Sequence, residues 1–220
     1  MEYLSAHYTV VPLDQILISV NDRQHTPAVA ITFDDAYTNV LEHALPVLLE
    51  FGLPATVYAP TRYLGLKNFW DETPPHLAMR IMGHGHLREI YTSGLGVGSH
   101  SQNHLRLKDL PLNSLTREIF DSRKELEDII GAPVTTFAYP YGGRNDFDER
   151  APHIARNSGY ASAVTSCFGR CHNSTDRHEL PRLTICPDDT VSDLKAKLRG
   201  YYDWVGLKEH CVYTLRLAAN

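Results

Sequence analysis

Along the chain, short runs of apolar and β-branched residues alternate with stretches in which apolar positions recur every three to four residues. Ala28 to Phe33 (AVAITF), Ala55 to Ala59 (ATVYA), Val134 to Tyr139 and Tyr160 to Thr165 are runs of the first kind, and their length and composition predict buried strands. Gly96 to Ser99 and Arg182 to Ile185 read as two further strand segments. The helical patterns lie between them. Tyr37 to Phe51 sets Val40, Ala44, Val47, Leu48 and Phe51 on one face and stops at Gly52. Asn113 to Ile130 carries Leu115, Ile119, Leu126 and Ile129 as its stripe before Gly131, while Leu87 to Ser93 and Glu149 to Ser158 stop at Gly94 and Gly159. A glycine just past the last periodic residue is a frequent helix stop. Thr190 and Asp193 stand at capping-box spacing ahead of a helix ending at Leu198, and Leu207 to Leu217 has weak helical periodicity.

Strands alternating with helices read as βα units around a mainly parallel sheet. Six or so such units predict an α/β fold, a closed or nearly closed barrel in which function gathers at the C-terminal ends of the strands. The expected division is an N-terminal extension over 1–26, a catalytic barrel over 27–200 and a C-terminal helix over 201–220.

Composition narrows the classes. The formal net charge is -5, and no stripe of Lys or Arg is present to track phosphates, which argues against nucleic acid as a partner. No apolar run reaches membrane-spanning length. The first residues lack the apolar core of a secretory signal, so the expected location is the cytoplasm. Cys167, Cys171, Cys186 and Cys211 are too few and too irregular for a disulfide framework, and reduced, unliganded thiols are expected. Twelve histidines direct attention to metal ligands.

Three chemically capable clusters follow predicted strands: Asp34-Asp35, His100-Ser101-Gln102-Asn103-His104, and Pro140-Tyr141-Gly142-Gly143. Two histidines four apart share one face if the segment turns helical. Adjacent carboxylates at a strand end repel each other unless a cation or a proton intervenes. One Asp and two His make a three-ligand site with positions open to water and substrate, as in catalytic metal centres, and leave the second Asp as a general base.

The set Thr32-Phe33-Asp34-Asp35, His100-x-x-x-His104 and Phe137-Ala138-Tyr139-Pro140-Tyr141-Gly142, in this order, resembles the polysaccharide deacetylases (carbohydrate esterase family 4, the NodB-homology domain). Pro54-Ala55-Thr56, Gly98-Ser99-His100, Lys124-Glu125-Leu126-Glu127 and Gly159-Tyr160 support the likeness, which runs from about Thr9 to Leu198. It implies a distorted (β/α) barrel of about seven strands. It implies Asp34 as catalytic base, Asp35, His100 and His104 as ligands of a divalent metal, most often zinc (Zn2+), and the Tyr141 backbone N–H as an oxyanion donor in a turn shaped by Pro140 and Gly142. The substrate implied is an acetylated carbohydrate, whose rings Pro140, Tyr141 and Trp70 are expected to contact.

Three departures from the family pattern carry their own expectations. Ala138 stands where the family has an arginine that orients the base, and Arg182 is the candidate replacement. The terminal Leu-x-His motif that supplies the general acid has no clean copy; His178 is the favoured substitute over His172 and His210. The resemblance also places a strand ahead of the Leu4 to Leu17 region, for which the chain begins too late, so the barrel is expected to be open on one side. Two other functions compete with deacetylation: an allantoinase-like cyclic amide hydrolase, and a non-catalytic carbohydrate-binding protein on the same scaffold.

Overall fold

The structure, a computed structural model, describes residues 1–16, 27–70, 78–206 and 208. Six parallel strands run in sequence order: β3 (Ile31–Phe33), β4 (Ala55–Ala59), β5 (Gly96–Ser99), β6 (Thr136–Ala138), β7 (Ser162–Phe168) and β8 (Leu180–Arg182). Each pairs with the next. A separate two-stranded parallel pair joins β1 (Thr9–Val10) to β2 (Ala28–Val29). The helices are α1 (Glu2–His7), α2 (Leu45–Glu50), α3 (His84–Thr92), α4 (Leu112–Ile130), α5 (Arg150–Asn157) and α6 (Val191–Leu198). The α/β barrel expectation holds, as a curled sheet of six strands with helices against it.

Side chains on a strand alternate between its two faces, and here the two faces feed different cores. Val57 and Ala59 of β4, Phe137 and Tyr139 around β6, and Ala163 of β7 pack with Leu87, Ile90, Leu115, Ile119 and Leu126 of the helices. The residues between them, Tyr58, Ala138 and Val164, join Leu180 in an inner cluster with Val11, Leu13 and Ile16. The segment expected as an N-terminal extension therefore fills the hollow of the curled sheet. Gly98 makes room there: a Cβ on it would stand 2.4 Å from two ring carbons of Tyr58, whose hydroxyl lies 2.9 Å from Thr136 Oγ1.

Several boundaries differ from the sequence pattern, each for a local reason. The run 28–33 is two strands, because Ala28–Val29 pairs with β1 while Ile31–Phe33 pairs with β4. The helix expected from Tyr37 begins as a π turn over Val40–Ala44 before α2. The last strand ends at Arg182 instead of beginning there. Thr190 and Asp193 do cap α6 reciprocally. The helix expected over 207–217 lies outside the described residues, apart from residue 208. Among the described residues, no helix is long and apolar enough to cross a membrane.

Candidate metal centre and active site

All three clusters follow strands of one parallel sheet and so emerge at one end of it. Asp34 and Asp35 follow β3, and Asp35 and Ala36 both have left-handed backbones, φ 66° and 51°. His100 follows β5, and the chain to His104 is a loop, not the helical turn that would explain a four-residue spacing. Ser101 (φ 63°) and His104 (φ 52°) are also left-handed. Each such non-glycine residue costs roughly 1–2 kcal/mol, so surrounding contacts must hold the loop. Ser101 Oγ accepts from the His104 amide at 3.1 Å. The Ser101 and Gln102 carbonyls accept from the Thr61 and Arg62 amides at 3.1 and 3.0 Å.

Asp35 Oδ1 lies 3.4 Å from His100 Nε2 and 3.2 Å from His104 Nε2. The three donor atoms all fall within 4.8 Å of one another. A tetrahedral ion with bonds of about 2.1 Å separates its ligands by roughly 3.4 Å, so the spacing fits a divalent cation. Asp35 Oδ1 is buried, and no described residue donates a hydrogen bond to it. Burial alone would raise the Asp35 carboxyl, but the imidazoles beside it outweigh that and hold it far below the usual carboxylate range. Burial would likewise lower His100, while the carboxylates of Asp35 and Asp34 raise it above the ordinary imidazole value. A field that favours a proton between these groups also favours a cation there. His100 Nδ1 lies 2.8 Å from the Ala138 carbonyl. Nδ1–H is thus the donor, which leaves Nε2, the nitrogen that faces Asp35, as the one available to a metal.

Asp34, the second carboxylate, faces elsewhere. Arg182 forks onto it, with Nη1 to Oδ1 at 2.7 Å and Nη2 to Oδ2 at 2.6 Å. The fork is fixed from behind: Arg182 Nε donates to the Thr165 carbonyl at 2.7 Å, and Nη1 also reaches Thr32 Oγ1 at 3.1 Å. Burial opposes the charge on Asp34, yet the guanidinium prevails and holds its carboxyl below the usual range. Meanwhile Ala138, at the family's arginine position, is buried in the inner cluster beside Tyr58.

The other expected site residues divide. Tyr141 is brought in: its ring lies 4.9 Å from that of His104, its backbone is left-handed (φ 60°), and its side chain is exposed. Trp70 is brought in as well, but its indole stacks on His104 with ring centres 4.2 Å apart, and Tyr63 meets it edge-on. Pro140 is buried, which removes it as a surface for sugar; its carbonyl accepts from the Gly142 amide at 2.7 Å and so shapes the turn. His178 is not brought in. It precedes β8, on the side where the strands begin, and its Nε2 bonds the Tyr160 carbonyl ahead of β7 at 3.0 Å. A buried histidine in that position cannot reach the Asp34 carboxylate, and the general-acid expectation for it is withdrawn. His210 lies outside the described residues.

The polysaccharide deacetylase family model matches residues 21–163, well over half of the chain. The chain belongs to the polysaccharide deacetylase family. It is 28% identical over 184 residues to YxkH of Bacillus subtilis, a protein named for the same family, covering 83% of this chain and 61% of that protein. It is 27% identical over 191 residues to the poly-beta-1,6-N-acetyl-D-glucosamine N-deacetylase of Staphylococcus aureus, covering 80% and 60%. The chain thus spans about three fifths of the length of both relatives. In fold, it is similar to the Streptococcus pyogenes deacetylase PplD solved with acetate, at a TM-score of 0.75 and 21% identity over 89% of this chain and 82% of that one.

The hydrogen bonds around the site also show supporting groups whose roles the sequence does not give. Thr32, Ser101 and the Thr165 carbonyl hold charged or strained groups in place, yet they look like ordinary strand and loop residues. Glu118 and Glu125 reach the histidine loop from α4. Glu125 lies in the family-like stretch Lys124 to Glu127. The sequence signal for Glu118 is spacing: with Ser122 and Glu125 it falls at i, i+4 and i+7, a polar stripe alongside the apolar one.

Proposed function

We propose that the protein is a metal-dependent hydrolase that removes acetyl groups, N-acetyl groups above all, from a carbohydrate polymer. The observation that carries this reading is one constellation. Asp35, His100 and His104 converge as a ligand triad, while the adjacent Asp34 is kept ionised and oriented by the Arg182 fork. A mere sugar-binding surface has no use for a carboxylate held this way beside a cation site.

Asp35, His100 and His104 would hold the ion, and their nitrogen and oxygen donors suit zinc. When bound, such an ion polarises the acetyl carbonyl and eases ionisation of water. Asp34 takes the proton of the attacking water, with Arg182 setting the direction of its lone pairs. The Tyr141 amide donates to the oxygen on which negative charge develops, from a turn already fixed by the Gly142 bond to the Pro140 carbonyl. The carbon–nitrogen bond then breaks, the sugar amine takes up a proton, and acetate leaves. With His178 at the far end of the sheet, Asp34 is the residue that returns the proton it received. Trp70 and Tyr141 offer aromatic walls for the sugar.

The test is acetate release from oligomers of N-acetylglucosamine by the zinc-loaded protein, with ring opening of small ureides as the contrasting assay. Chelation should abolish acetate release and zinc should restore it. Asp35→Ala and His104→Ala should lose both zinc and activity; undiminished zinc content in both variants overturns the site.

A further inference from the structure

We infer that Glu118, on the long helix α4, is a positioning residue for the metal centre, clamping the loop that carries both histidines. This rests on the metal reading above. Glu118 is 5% exposed, a rare state for a carboxylate, and it spends both oxygens on that loop. Its Oε2 accepts from the Gln102 amide at 3.0 Å and from the Asn103 amide at 2.8 Å. Its Oε1 accepts from Asn103 Nδ2 at 2.6 Å.

The two amides it holds lie between Ser101 and His104, the residues in left-handed conformation. A loop strained at both ends relaxes unless its middle is fixed. Glu118 supplies that fixing point from a helix, which is a rigid mount. Two more residues on the same face of α4 extend the hold. Ser122 Oγ bonds Ser99 Oγ at 2.7 Å, one residue before His100. Glu125 accepts from Gln102 Nε2 at 2.9 Å and pairs with Thr61 and with Arg62, the latter at 2.9 Å. The polar stripe of α4 thus reads as a template for the loops after β4 and β5. The bonds of Glu118 go to Gln102 and Asn103, not to the histidine rings. Its effect passes through the backbone that sets where His104 Nε2 stands.

Zinc affinity, measured by competition with a chromophoric chelator, separates this role from ordinary core support. Melting temperatures of the metal-free proteins are taken alongside, as are Co2+ absorption spectra. Val134→Ala, a core truncation two residues ahead of β6, serves as the comparison. We expect Glu118→Ala to weaken zinc binding roughly 10- to 100-fold, the range seen when an outer partner of a metal ligand is lost, and to alter the cobalt spectrum. Val134→Ala should lower the melting temperature and leave zinc affinity unchanged. Glu118→Gln and Asn103→Ala give the same reading in milder form should Glu118→Ala fail to fold. Wild-type zinc affinity in these variants overturns the clamp alone. A wild-type protein that takes up no zinc overturns the metal reading and the clamp with it.

Discussion

Asp34 and Asp35 are neighbours in sequence with different proposed duties, and the contacts around each separate them. Asp35 faces two imidazoles and Asp34 faces one guanidinium. Asp34→Asn should therefore keep zinc and lose activity by about 10²- to 10⁴-fold, the usual worth of a general base, as read by metal content and acetate release on one preparation. Arg182→Lys should also fail to restore full rate, because an ammonium cannot make the two parallel bonds that the guanidinium makes; wild-type rates in that variant and in Arg182→Ala would remove its assignment. The thiols differ as sharply. Burial pushes Cys171 up to about 11, whereas Cys186 is exposed. Since the thiolate is the nucleophile, iodoacetamide at pH 8 should label Cys186 and spare Cys171 when peptides are mapped by mass spectrometry.

The strands and helices that carry these groups were readable where a single period governed them. Helix α4 was foreseen within one residue of its start, because Leu115, Ile119 and Leu126 make one face and Gly131 (φ 69°) ends it. The residues proposed as the metal triad could be picked out because Asp35 and His100 stand just past strand ends and His104 follows His100 by four residues. What failed to show was whatever depends on the third dimension. The ring of Tyr58 lying over Gly98, the split of 28–33 between two sheets, and the turning of His178 away from the site leave no periodic trace. His178 was misplaced because a loop before a parallel strand opens at the end opposite to the one where the strands finish. Gly98 gives this point a measurable form. Adding a methyl group 2.4 Å from the Tyr58 ring forces the inner packing apart, and Gly98→Ala should cost roughly 1–3 kcal/mol or more in urea unfolding of the metal-free protein.

The curled sheet has a seam. Its first strand, β3, and its last, β8, are not paired with each other among the described residues, yet Arg182 of β8 reaches Thr32 and Asp34 on the β3 side. The fork on Asp34, the proposed base, is therefore also a clasp between the two edges of the fold, so the proposed chemistry and closure share one ion pair. The consequence is a pH dependence with a definite sign. The folded Asp34 carboxyl is held below its ordinary value, so its contribution to stability is complete above about pH 4, the unfolded value. That contribution is lost as pH falls through the lower folded value, because the unfolded chain then binds the proton more readily. Metal-free wild-type protein should lose stability down this acid limb more steeply than Asp34→Asn, which has no proton to gain at that position. Urea midpoints measured from pH 7 downward give the comparison, and parallel acid limbs in the two proteins would show that the seam is held by packing instead of by the fork.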